Sequence, residues 1–339
     1  MATKLSASGL VFDDSALRET PLTILDSVLR GVGQVMLQNN SFAGLFFWAG
    51  IFYSSRLCGF AVILGAAVST LFALLLGIDR RTVRAGLFGF NGALIAVALA
   101  TFLHSSVIMW VSMIFAAAIT TVLMAAMLRW LEQRKISPLT APFVLTALCF
   151  LPAYTLFGRL HPTSNLPIAG LPKTTIVMGA VGASTLAGGL FNGVAQVFFQ
   201  ANVITGVLFA IGLLISSRRA FGAALLGSFV GFWVAWAMGA AEPTIHSGLF
   251  GFNCVLTAIA MGSAGFVLDR AYAFYSLVAI VATTIVFAAL SGLFAPAGMP
   301  ALTLPFVLVV WVFVSAGHYF PGFRPDMPHA ITCATQPSN

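Results

Sequence analysis

The side chains in this sequence that could act on another molecule are amides and hydroxyls, and they come in matched pairs. Gln34 lies in VGQVMLQNN at 32–40 and Gln196 in VAQVFFQAN at 194–202. Thr140 and Thr303 each stand two residues before a proline, Pro142 and Pro305. Such groups do not ionise; they donate and accept hydrogen bonds, with a neutral polar solute or with neighbouring helices. Proline early in a helix is comfortable, so each Thr hydroxyl could cap a helix or face a pore. Phe90 and Leu94 are four residues apart and share a helix face, and Phe252 and Leu256 repeat the pattern. Two Phe rings brought to one axis would form a flat apolar slot, although the same spacing also serves core packing. Asn91 and Asn253, beside them, suit holding backbone better than touching a solute.

Catalytic arrangements are missing from the sequence. It contains no HExxH, GxSxG or phosphate-binding loop. The histidines, at 104, 161, 246, 318 and 329, fall at span ends, in loops or in the tail. Cys58, Cys149, Cys254 and Cys333 form neither a CxxC pair nor a metal-ligand spacing, so no cofactor or metal is expected. The acids, Asp13, Asp14, Glu19, Asp26, Asp79, Glu132, Glu242, Asp269 and Asp326, are all expected in lead-in, loop or tail. Proton or sodium coupling ordinarily shows as ionisable groups inside spans. A path of amides and hydroxyls suits passive movement of a neutral solute instead.

The elements that must position these groups are set by composition. Of 339 residues 60% are hydrophobic and 7% charged, with a mean hydropathy of +1.01. These values exclude an ordinary soluble enzyme, a disordered chain and a nucleic-acid binder. The formal net charge of +7 therefore reads as a membrane-topology signal. Apolar runs are expected to cross the bilayer at about 42–54, 58–78, 86–104, 107–131 and 139–157, and again at 203–216, 220–239, 248–267, 271–294 and 302–320. Residues 176–190 read either as a span or as an interfacial segment. The Gln34 and Gln196 stretches are too short to cross, which suits re-entrant helices; such backbone is tolerated at membrane depth where it lines an aqueous cavity.

The two series are an internal repeat. At an offset of 162, VGQVMLQNN meets VAQVFFQAN, SSR at 54–56 meets SSR at 216–218, and GLFGFN at 86–91 meets GLFGFN at 248–253; at 163, LTAPFVL at 139–145 meets LTLPFVL at 302–308. Five spans per unit invert the second unit. Inversion also gathers 13 Lys and Arg on one side, against Arg56, Arg159 and Lys173 on the other. The alternative, in which 174–190 crosses, gives 9 against 7 and erases the bias. Positive charge therefore favours inversion with both termini cytoplasmic, and inverted repeats are typical of transport proteins. The expected fold class is an all-α polytopic membrane protein: two inverted homologous repeats, each of five transmembrane helices and one re-entrant pore helix. Its parts are a cytoplasmic lead-in at 1–27 with an interfacial helix around Phe12 to Leu17, a first repeat at 28–157, a linker at 158–191, a second repeat at 192–321 and a cytoplasmic tail at 322–339.

Taken together, GQVMLQNN at 33–40, GLFGFNGAL at 86–94, LTAPF at 139–143 and their second copies resemble the bacterial and animal urea transporter family over about residues 28 to 320. The resemblance implies ten spanning helices, two re-entrant pore helices and a homotrimer in the inner membrane with one pore per protomer. It places Gln34 and Gln196 at two outer binding sites for urea. It lines the slot with Phe90, Phe252, Leu94 and Leu256, sets Val35, Leu37, Val197 and Phe199 along the pore helices, and brings Thr140 and Thr303 together at a central constriction. The family's LPxxT pattern appears as MPALT at 299–303 but as ISPLT at 136–140, with Ser137 in the proline's place. Some bacterial relatives carry Glu at the position of Gln196. The implied function is channel-like facilitated diffusion of urea, the alternative being another small neutral solute such as a short amide, ammonia or water.

Overall fold

The computed structural model describes residues 4–6, 9–11, 20–134, 136–172 and 179–323. Phe12 to Leu17, where an interfacial helix was expected, lie outside these residues, as do 173–178 and the tail from 324 onward. A short antiparallel pair, β1 (Lys4–Ser6) and β2 (Gly9–Val11), precedes the helices. Seven helices follow: α1 (Pro21–Gln34), α2 (Ser41–Ser54), α3 (Arg56–Leu75), α4 (Arg80–Arg84), α5 (Gly89–Phe102), α6 (Val107–Leu131) and α7 (Ala141–Phe150). Seven more are α8 (Ala183–Ala195), α9 (Val203–Ser216), α10 (Arg218–Ala237), α11 (Glu242–His246), α12 (Phe252–Gly262), α13 (Arg270–Phe294) and α14 (Leu304–Gly317). Each helix of the second set starts 162 or 163 residues after its counterpart in the first.

α1 begins inside the stretch read as lead-in, and α8 inside the stretch read as linker. The start signal of α1 is local. Thr20 caps it, its Oγ1 accepting the Thr23 N–H at 3.2 Å while Thr23 Oγ1 takes the Thr20 N–H at 2.8 Å, and Pro21 sits at the first helical position. The earlier start puts Asp26 within a helix rather than in a lead-in. It is buried there and pairs with Arg30 one turn on, at 2.6 Å. The carboxylate is thus compensated from within its own helix, as a charge at depth requires.

By length and composition α3, α10, and α6 and α13 with their short continuations can cross a bilayer; α8 with α9 forms a further candidate bent by 74°. The remaining apolar helices, α2, α5, α7, α12 and α14, run between 10 and 17 residues. α5 is buried at every residue but Thr101, and α12 at every residue from Phe252 to Met261. Helices apolar on all sides belong in an interior, and here α5 packs among α1, α3, α6 and α7, and α12 among α8, α10, α13 and α14. Large apolar side chains on the long helices, including Leu75, Phe115, Phe274 and Leu293, are exposed, as lipid-facing side chains are.

Close packing depends on small residues at matched positions. A Cβ at Gly44 would overlap the Leu29 carbonyl, and one at Gly206 would overlap the Phe191 carbonyl. Gly44→Ala and Gly206→Ala are each expected to destabilise the protein by about 1–3 kcal/mol, the usual cost of overpacking. Thermal unfolding in detergent would read this, and an unchanged midpoint would show that α1 and α2, or α8 and α9, do not need their present approach.

α2 and α9 join the two sets of helices, and their contacts are reciprocal. Phe47 and Phe209 meet with ring centroids 5.2 Å apart. Gly50 lies against Phe209, and Gly212 against Phe47. Each residue touches the counterpart of the residue that touches its own counterpart, the signature of a self-complementary interface.

Candidate functional site

Four helix ends are buried, the C-terminal ends of α1 and α8 and the N-terminal ends of α7 and α14, and the last two meet at Thr140 and Thr303. α1 stops because Leu37 adopts a left-handed conformation, φ 59°, with the Gln38 N–H returning to the Gly33 carbonyl at 3.1 Å. Phe199, φ 60°, ends the α8 segment in the same way, and the Gln200 N–H returns to the Ala195 carbonyl at 3.3 Å. This is a glycine-type helix stop made by large side chains. Leu37 and Phe199, expected along the pore helices, therefore occupy the turns just beyond them. Val35 and Val197 are buried in the helix ends.

Two residues that sequence reasoning did not assign hold each turn. Gln38 Nε2 donates to the Met36 carbonyl and Gln200 Nε2 to the Phe198 carbonyl, both at 2.8 Å. Asn40 and Asn202 then cap α2 and α9 through their side-chain oxygens. The signal was present, since Gln and Asn recur at the same spacing in both copies of the block.

Gln34 and Gln196 are fixed alike. Gln34 Nε2 donates to the Ala85 carbonyl at 2.9 Å, and Gln196 Nε2 to the Ser247 carbonyl at 3.0 Å. Each amide thus commits one of its two N–H donors to the turn preceding a GLFGFN block. The amide oxygen can accept a hydrogen bond from a solute N–H.

The hydroxyls meet. Thr140 Oγ1 and Thr303 Oγ1 lie 2.6 Å apart, and both residues are buried. Neither hydroxyl caps its own helix, although both residues stand at the N-cap position. Left-handed residues immediately before them, Leu139 at φ 54° and Leu302 at φ 52°, turn them inward. Among the described residues, every non-glycine residue with positive φ belongs to one of these four junctions. Each such conformation costs about 1–2 kcal/mol, so other contacts must hold it.

Asn91 and Asn253 supply those contacts. Asn91 Nδ2 donates to the Leu139 carbonyl at 3.4 Å, and Asn91 Oδ1 accepts the Phe143 N–H at 3.1 Å. Asn253 does the same for the Leu302 carbonyl at 3.1 Å and the Phe306 N–H at 3.3 Å. One side chain therefore clamps the strained turn and caps the helix after it, as the expectation that these Asn hold backbone required. Ser137 substitutes locally for the missing proline, its Oγ accepting the Leu139 N–H at 3.4 Å. The turn at Leu139 keeps nearly the same φ as the proline-preceded turn at Leu302.

Phe90 and Phe252 sit beside these clamps on α5 and α12 and are 4% and 5% exposed; Leu94 and Leu256 are fully buried. Phe252 packs edge-on against Phe287 at 5.6 Å. Among the described residues no ring contact joins Phe90 to Phe252, so the two are not stacked on one another. No group of three or more His, Cys, Asp or Glu that could hold a metal ion occurs among the described residues. These hydroxyls and amides lie among apolar side chains and can exchange hydrogen bonds with a neutral partner.

A protein-family profile described as Urea transporter matches residues 25–318. Urea transporter 1 of Ovis aries is 28% identical over 304 residues, which cover 88% of this chain and 79% of that protein. Urea transporter 1 of Rattus norvegicus is 29% identical over 307 residues, with the same coverage. The chain belongs to the urea transporter family: it is an integral membrane protein and a transporter rather than an enzyme.

Proposed function

We propose that this member of the urea transporter family conducts urea passively, by channel-like facilitated diffusion, along a path from one glutamine through the threonine pair to the other. The observation that carries the reading is the buried Thr140–Thr303 contact at 2.6 Å between the two sets of helices. A residue can touch its own counterpart only near an axis relating the two. Thr140–Thr303 and Phe47–Phe209 are two such contacts. Together with the offsets of the helices they support two repeats related by a pseudo-twofold axis. The Lys and Arg distribution supports inversion, with both termini cytoplasmic in an inner membrane. Ten crossings then include short helices shielded by protein, where irregular backbone can be tolerated. A homotrimer with one path per protomer belongs to the same reading and rests on the family resemblance.

Urea is small, planar, neutral and rich in hydrogen-bonding groups. Leaving water without new partners costs about 2–7 kcal/mol per polar group. Gln34 and Gln196 offer amide oxygens to its N–H groups at the two mouths. Phe90, Phe252, Leu94 and Leu256 form the apolar surround between them, which an ion could traverse only at a prohibitive desolvation cost. At the middle the two threonine hydroxyls exchange their mutual bond for bonds to urea. Several modest sites release the solute faster than one deep site would.

Two measurements test this. Labelled-urea influx should be unchanged when proton and sodium gradients are collapsed; flux that stops with either gradient would mean coupled transport. Gln34→Ala should raise the urea concentration giving half-maximal flux by about fivefold, the worth of one neutral hydrogen bond. An unaltered concentration dependence would reduce Gln34 to a structural contact with Ala85.

A further inference from the structure

The two mouths differ one helical turn outboard of the glutamines. In the first half that position is Arg30, whose side chain is held by Asp26 at 2.6 Å and by Asn39 Oδ1 at 2.9 Å. Its counterpart is Asn192, and the counterpart of Asp26 is Gly188, so the second half has no ion pair there. Asn192 is 3% exposed. Its Nδ2 donates to the His246 carbonyl at 2.8 Å, and Gln196 Nε2 donates to the next carbonyl, Ser247, at 3.0 Å. Consecutive carbonyls of one turn therefore pin two amides that lie four residues apart on one face of α8. Among the described residues Asn192 Oδ1 is buried with no hydrogen-bond partner. A buried carbonyl oxygen without a donor is costly, and an N–H of a small solute at this mouth would supply one.

We propose that Asn192 Oδ1 is a further urea-binding position at the second mouth, about 6 Å outboard of Gln196 along α8. It accepts an N–H from urea or another small neutral amide before the solute reaches Gln196. Arg30 offers only donors at the equivalent place, so the two ends of the path grip the solute differently. The inference rests on the reading that urea moves past Gln196.

Crystals of the full chain soaked in selenourea test it, because the selenium reports its own position by anomalous scattering. The expected result is one selenium peak within hydrogen-bonding reach of Gln196 and a second beside Asn192 Oδ1. In Asn192→Ala the outboard peak should vanish and the Gln196 peak remain. Half-maximal urea flux from that face should shift about fivefold upward in the same variant. A peak at Gln196 alone, with water at Asn192, would overturn the inference and leave the path intact. No peak at either residue would overturn the path and the inference with it. An outboard peak that persists in Asn192→Ala would assign the position to other residues. The wild-type crystal decides the matter even if the variant fails to fold.

Discussion

Replacing Thr140 and Thr303 together by Val should lower urea flux about tenfold or more while leaving the fold nearly as stable as before. Valine keeps the shape of threonine and removes the hydroxyl. At the middle of the path the solute would then lose its hydrogen-bonding partners, and one or more unpaired polar groups at about 1–3 kcal/mol each account for that loss. The stability pattern should be non-additive, because the two hydroxyls bond each other at 2.6 Å. Each single variant strands a buried hydroxyl and should cost about 1–3 kcal/mol, whereas removing both partners is close to neutral. Unfolding midpoints and proteoliposome flux of the two single variants and the double variant check both statements. If flux is unchanged in the double variant, the barrier lies elsewhere. If the single variants are as stable as the double, the hydroxyls do not depend on each other.

Asn91→Ala should be among the most damaging single changes in the chain, with Asn253→Ala similar. Each removes at least two hydrogen bonds at once, leaving the Leu139 carbonyl and the Phe143 N–H, or their counterparts at Leu302 and Phe306, unsatisfied in the interior. The loss is about 2–5 kcal/mol. Function should suffer beyond stability, because the clamp also holds the left-handed residue that turns the threonine inward. The check compares flux per folded protein with the unfolding midpoint. A variant less stable but fully active per molecule would show that the clamp serves the fold without positioning the threonine.

Much of this arrangement is legible in the sequence. Blocks at offsets of 162 and 163 located the matched Gln, Thr, Phe and Asn residues, because polar and turn-forming residues recur in register only when the structure around them recurs. The apolar helices Val107–Leu131 and Val203–Ser216 have the bounds expected of them. The starts of α1 and α8 were harder to see: Thr20–Pro21 is a start signal, but the helix behind it carries Thr23, Asp26 and Arg30, which hydropathy reads as lead-in. Asp26 showed that a carboxylate can sit inside when an arginine one turn away neutralises it. The four left-handed turns were invisible, because leucine and phenylalanine do not advertise positive φ as glycine does. Gln38 and Gln200 recur in both copies of the block, but recurrence alone does not reveal that each amide satisfies a carbonyl two residues away.

The most direct measurement of the central claim is stopped-flow light scattering of proteoliposomes under an imposed urea gradient, with no proton or sodium gradient, beside protein-free vesicles and parallel gradients of glycerol and formamide. A passive urea path predicts urea equilibration many times faster than in protein-free vesicles, with little acceleration for glycerol. Urea equilibration no faster than in protein-free vesicles, from protein shown to be folded, would contradict it.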